Sequence, residues 1–178
     1  CHQKQSAEEL KAHIVQKLAA QQGTFAVAFK DLTTGEEIFI NEHELFHAAS
    51  TMKTPVMVEV YKQASEGKFS VKDSILIKNE FTSIFDGSTF SIDPSVDSDT
   101  LLYHEIGKKH TIYSLMYDMI IVSSNLATNL IIELVDARQV TATMRSIGAQ
   151  DIQILRGVED TKAFEAGMNN KVTAYDLM

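Results

Sequence analysis

Ser50 and Lys53 stand three residues apart in the stretch Phe46-His47-Ala48-Ala49-Ser50-Thr51-Met52-Lys53-Thr54-Pro55-Val56-Met57-Val58. On a helix that spacing puts a hydroxyl and an amine on one face. A serine hydroxyl is a weak nucleophile at neutral pH, and an amine able to give up its own proton is one of the few groups that can activate it. Small residues lead into the stretch, and Met57, Val60, Tyr61 and Ala64 continue it as one helical stripe. A serine at the start of such a helix also meets backbone N–H groups and the positive end of the helix dipole, which stabilise an oxyanion. Taken alone the pair is a weak signal that fits a serine cap followed by a solvated lysine better, so the surrounding elements must decide.

The chain has room for one domain, 1–178, with a sizeable core. Sixteen basic residues against 24 acidic ones give a net charge of −8, which argues against nucleic acid or an anionic membrane surface as partner. No run of about 18 apolar residues offers a transmembrane helix. The single cysteine, Cys1, leaves no internal disulfide framework and no cysteine metal cluster. A chain that begins with Cys has two readings: a lipid-carrying cysteine left by signal-peptide cleavage, followed by the tether His2-Gln3-Lys4-Gln5-Ser6, or an arbitrary boundary.

Three parts position the pair. In 6–49, Leu10, Ile14, Val15 and Leu18 mark an amphipathic helix from about Ser6 to Gln21, ended by Gly23. Thr24–Phe29 and Glu37–Ile40 then read as two strands of a hairpin around Asp31–Gly35. Residues 50–155 are mainly helical. The Ser50 helix runs to about Ser65, with Pro55 bending its first turns. Ile112, Leu115, Met116, Met119 and Ile120 form a buried helical stripe, and Ala127, Leu130, Ile131 and Leu134 form another after Ser123-Ser124-Asn125. Asp136 caps a third helix carrying Val140, Met144 and Ile147, which Gly148 ends. Between Val71 and His110 the pattern is weak: Lys72–Lys78 suggests a short strand, Asp86-Gly87-Ser88 and Asp93-Pro94-Ser95 suggest turns, and Asp86, Asp93, Asp97 and Asp99 read as a solvated acidic face. In 156–178 an irregular loop opens at Arg156-Gly157-Val158-Glu159-Asp160, and Thr173 with Asp176 starts a capped helix just before Met178.

Ser50-Thr51-Met52-Lys53, then Ser123-Ser124-Asn125 with Ala127, Asn129 and Leu130, then the Arg156–Asp160 loop and the approach to Thr173-Ala174, occur in an order that resembles the penicillin-recognising serine hydrolases, specifically class A β-lactamases. The resemblance runs over nearly the whole chain. It implies an α/β (α+β) fold with an antiparallel sheet flanked by helices and an all-helical subdomain. It implies acylation of Ser50 by an amide carbonyl, with Lys53 as base or its tuner, Ser123 as proton relay to the leaving nitrogen and Asn125 as a substrate hydrogen-bonding group. No metal or organic cofactor is implied, and the expected partner is a β-lactam or a cell-wall peptide-like amide. Such a protein belongs in the periplasm or outside the cell, which suits a lipid anchor at Cys1.

Several positions depart from the family pattern. Ser124 stands where the family usually has Asp, a position that helps to hold the local structure. The 73 positions between Ser50 and Ser123 point to an insertion within Phe81–Lys109. The deacylating glutamate has two candidates, and neither fits the pattern fully. Glu165-Ala166-Gly167-Met168-Asn169 matches Glu-x-x-x-Asn in letters but lies far from Arg156, whereas Glu159 lies nearer without the asparagine. If neither serves, the protein would acylate with little turnover, as a penicillin-binding or sensor domain, or act on other esters or peptides. The third motif, Lys-Thr-Gly or Lys-Ser-Gly on a strand, is absent; the resemblance places it beyond Met178 with further strands and a closing helix, so this chain is expected to fold or work only with that C-terminal segment.

A rival chemistry sits in His43-Glu44-Leu45-Phe46-His47, which spells His-Glu-x-x-His, the zinc-protease motif, with Glu66 at a distance that suits a third ligand. That motif requires a helix. Here the upstream strand and the approach to Ser50 favour a loop, with His43 exposed and His47 near the entrance of the site.

Overall fold

The structure, a computed structural model, describes residues 6–178, so Cys1 and the tether residues up to Gln5 lie outside it. Helix α1 (Ala7–Ala19) starts at a reciprocal cap: Glu9 N–H donates to Ser6 Oγ at 3.2 Å, and Ser6 N–H donates to the Glu9 carboxylate at 3.0 Å. The helix lies on β2, yet none of its residues is fully buried and Leu10 and Val15 remain exposed. Strands β1 (Val27–Lys30) and β2 (Glu37–Ile40) pair antiparallel from Val27↔Ile40 to Lys30↔Glu37. Asp31 folds the turn between them by accepting the N–H groups of Thr33 and Thr34.

Strand β3 (Phe46–His47) leads to a 3₁₀ turn, Ala49–Met52, which runs directly into α2 (Lys53–Ser65). Pro55 falls in the first turn of α2, where its missing N–H has no intrahelical partner to lose. Strand β4 (Ser74–Leu76) follows, then the hairpin β5 (Phe81–Thr82) and β6 (Thr89–Phe90), then 3₁₀ turns at Pro94–Val96 and Leu102–Glu105, and β7 (Lys109–Thr111). The helices α3 (Ile112–Ile121), α4 (Asn125–Val135) and α5 (Ala137–Ser146) come next, followed by α6 (Thr161–Glu165), β8 (Lys171–Val172) and α7 (Ala174–Leu177). β3 pairs with β8, β4 with β7 and β5 with β6, all antiparallel.

The core lies where α2 packs on α3, α4 and α5, and Val56, Val60, Leu115, Met119, Leu126, Ile131 and Val140 are inaccessible there. The mixed helix and antiparallel-sheet architecture is the expected one. The apolar stripes of α3, α4 and α5 are buried as their spacing requires, apart from Leu134, which is half-buried, and Ile120 and Ile147, which stand exposed at the helix ends.

Four readings need correction. The inward face of α2 is Val56, Glu59, Val60 and Gln63, with Tyr61 exposed. Two polar side chains hide it from a hydrophobicity pattern: Gln63 Nε2 donates to Glu59 Oε1 at 2.7 Å and to the Val135 carbonyl at 2.8 Å. β7 is a strand that the sequence did not announce. Asp97 is no part of a solvated face but is 7 % exposed. The His43–His47 stretch is a turn running into β3, not a helix, so its histidines lack the one-turn geometry of a zinc site, and His43 instead lies 3.0 Å from Asp151 at the surface.

Candidate active site

Ser50 sits in the 3₁₀ turn and Lys53 is the first residue of α2. In a 3₁₀ turn residues i and i+3 eclipse, so the spacing of three aligns the two side chains. Ala49, just before Ser50, adopts φ +44°. Ser123 bridges α3 and α4 at φ +59°, and Ser124 caps α4 by accepting the Ala127 N–H. Left-handed backbone at non-glycine residues costs energy and persists where the surroundings enforce it. Here it occurs beside Ser50 in the chain, at Ala49, and across from the Ser50 hydroxyl, at Ser123.

These elements bring the four expected residues into one hydrogen-bonded chain. Ser50 Oγ and Ser123 Oγ are 3.0 Å apart. Lys53 Nζ donates to Ser123 Oγ at 2.9 Å, to the Ser123 carbonyl at 2.6 Å and to Asn125 Oδ1 at 3.0 Å. Lys53 is 3 % exposed, and burial pushes its ammonium from 10.5 down to about 8, against the opposing charges of Asp97 and Glu159. A lysine in that range is substantially neutral at mildly alkaline pH and can take a proton.

The opposite wall is the loop from Arg156 to Asn170. Arg156 is buried, and its guanidinium ties the loop's two ends together through the Met168 carbonyl, the Gly157 carbonyl and Asn169 Oδ1. Asn170 repeats the tie, its amide oxygen accepting from Leu155 and Arg156 and its nitrogen donating to the Arg156 carbonyl. Asn129 of α4 clamps Val158 by accepting its N–H at 2.7 Å and donating to its carbonyl at 3.0 Å. Asp160 caps α6 and fastens the loop to the β5–β6 hairpin, accepting from Ser83 Oγ at 2.7 Å and from the Ile84 N–H at 3.0 Å.

Between the walls lies a cavity of about 380 Å³ lined by residues that include His47, Ser50, Asn125, Glu159 and Asn170. Glu159, at φ +61°, is thereby brought to the side of Ser50. Glu165 is not: it is the exposed last residue of α6 and does not line the cavity. His47 stands at the cavity edge, edge-on to Phe164 with ring centroids 5.9 Å apart. Asp97 and Asn170 were not picked out in sequence for the site, and Asn129 and Asp160 were noted only as parts of motifs, with no role given to either. The signal of the loop residues Asp97, Asp160 and Asn170 was faint, because isolated Asp and Asn in loops read as turn formers.

A family model described as the β-lactamase enzyme family matches residues 6–178. The chain belongs to the β-lactamase enzyme family. Its fold is that of class A β-lactamases: it superposes on the β-lactamase of Sphaerobacter thermophilus with a TM-score of 0.72 and 26 % identity, over 93 % of this chain and 57 % of that one. An ancestral class A β-lactamase matches with a TM-score of 0.75 and 22 % identity, over 94 % of this chain and 60 % of that one. A variant of the protein PBP-A, solved as an acyl-enzyme complex with penicillin G, matches with a TM-score of 0.75 and 21 % identity, over 95 % and 58 %. The β-lactamase-family chain described here therefore spans somewhat under two thirds of the length of these structures. No curated protein matches it.

Proposed function

We propose that this chain carries the acylation machinery of a serine β-lactamase-type hydrolase, opening the β-lactam ring through an acyl-enzyme on Ser50. The observation that carries the proposal is the continuous path Ser50 Oγ–Ser123 Oγ–Lys53 Nζ, ending on a lysine whose ammonium is weakened by burial. Neutral Lys53 draws the Ser50 proton through Ser123 as Ser50 Oγ bonds to the lactam carbonyl carbon. The ring C–N bond then breaks, and the leaving nitrogen receives a proton from Ser123, which Lys53 replenishes. Asn125, with its amide oxygen on Lys53, has its amide nitrogen left to engage the substrate. The start of the Ser50 helix supplies backbone N–H groups and a positive dipole end for the developing oxyanion.

Hydrolysis of the acyl-enzyme requires a base for water. Glu159 is our choice over Glu165, because it lines the same cavity as Ser50 while Glu165 does not. A second reading, a penicillin-binding protein with slow turnover, is favoured by the exposure of Glu159, whose carboxylate accepts no hydrogen bond from the other described residues. In either case the proposed substrate is a small molecule, a β-lactam or a cell-wall peptide-like amide, and the proposed place of action is outside the cytoplasmic membrane.

Intact mass spectrometry of the full-length protein after brief exposure to a penicillin tests the reading, with Ser50→Ala as control. A mass increase equal to the drug that vanishes in Ser50→Ala is the expected result, and the decay rate of the adduct separates hydrolase from binding protein. Folded protein with neither adduct nor drug hydrolysis would refute it.

A further inference from the structure

The segment between β6 and β7 contributes no residue to the acylation path, yet it grips both sides of Ser123. Ser98 Oγ donates to the Val122 carbonyl at 2.5 Å, immediately before Ser123. Immediately after it, the Asp97 carboxylate accepts the Asn125 N–H at 2.9 and 3.1 Å and the Leu126 N–H at 2.9 Å. Asp97 also accepts the Asp99 N–H at 3.1 Å and the Tyr103 hydroxyl at 2.8 Å. A carboxylate that is 7 % exposed needs such a full set of donors to be held there. Two of them are orphan N–H groups at the start of α4, where a negative charge is also favoured by the helix dipole.

We propose that Asp97 is a positioning residue of this site: it fastens the start of α4 so that Ser123 keeps its left-handed backbone and Asn125 meets Lys53. Ser124 reaches only one α4 N–H, that of Ala127, and leaves those of Asn125 and Leu126 to Asp97. The charge acts on Lys53 alongside that of Glu159, and both oppose the burial that weakens the ammonium. Around Asp97 itself the facing ionisable groups are Tyr103, Asp99 and Lys53; burial and the bond to Asp97 keep the Tyr103 phenol protonated well above its usual range.

The inference rests on the acylation reading only for its kinetic arm, so two readouts are taken on the full-length protein. One is the NMR titration of the Lys53 Cε resonance, assigned by its loss in Lys53→Arg. The other is the rate of acylation by a fluorescent penicillin against pH. In Asp97→Asn the Lys53 midpoint falls by on the order of one pH unit, and acylation at the alkaline plateau falls about tenfold or more because an amide nitrogen now faces the α4 N–H groups. In Tyr103→Phe, which keeps the ring and removes only a donor, the carboxylate faces Lys53 less neutralised and the midpoint rises instead. A folded Asp97→Asn protein with the wild-type midpoint and plateau overturns the proposal. Should Asp97→Asn fail to fold, a Tyr103→Phe midpoint that stays put or falls overturns it. Wild-type protein that forms no adduct sinks the acylation reading, while the Lys53 titration still decides the role of Asp97.

Discussion

Lys53 Nζ donates to both oxygen atoms of Ser123, the carbonyl at 2.6 Å and the hydroxyl at 2.9 Å, across 70 positions of sequence. The carbonyl bond anchors the amine regardless of protonation state, while the hydroxyl bond is the one through which a proton can move. On the proposed acylation path, positioning and proton transfer are thus divided between two atoms of one residue.

The first prediction is a pH profile. Burial lowers the Lys53 ammonium to about 8, so the basic form grows as pH rises through that value. Acylation of Ser50 should increase with pH around a midpoint near 8 and level off above it, measured as the adduct formation rate across pH. A rate independent of pH between about 6 and 9.5 would exclude Lys53 as the base.

Ser123→Ala separates the two bonds. The carbonyl anchor stays, so Lys53 remains in place and thermal stability changes little, but the hydroxyl bridge to Ser50 disappears. Acylation should fall by roughly 10²–10⁴-fold with penicillin affinity much less affected, as expected for loss of proton transfer. A rate within about threefold of the wild type would remove Ser123 from the path.

Gly157→Ala probes the opposite wall. A Cβ there would lie 2.2 Å from Asn129 Oδ1, and the amide that clamps Val158 cannot give way without losing that clamp. We expect a loss of about 1–3 kcal/mol in stability from the broken buried hydrogen bonds, read by thermal unfolding. Glu159 follows Val158, so the acyl-enzyme should also live longer in the variant than in the wild type. Unchanged stability and unchanged adduct lifetime would show that the clamp does not govern the loop.

Much of this protein is legible along the chain because its physics is local. The stripes of α3, α4 and α5 announce their buried faces. Ser6, Asp136 and Thr173 announce helix starts through caps that reach only two or three residues. The spacing of Ser50 and Lys53 aligns their side chains by helical geometry alone, whereas their meeting with Ser123 and Asn125 was expected only through the family resemblance. The inner face of α2 was not legible, because Glu59 and Gln63 satisfy each other and the Val135 carbonyl in place of apolar packing.

Only the tertiary structure decided what depends on distant partners. Asp97 looks like any loop aspartate until α4 brings two unpaired N–H groups to it, 28 and 29 positions away. Glu159 and Glu165 could not be told apart by spacing, and the tethering of the loop by Arg156, Asn129 and Asp160 leaves Glu159 lining the cavity that holds Ser50 and Glu165 outside it. The residues that do chemistry are set by type and local spacing, whereas those that hold them are set by which orphaned polar groups the fold happens to bury beside them, and that is a property of packing that no short stretch of sequence contains.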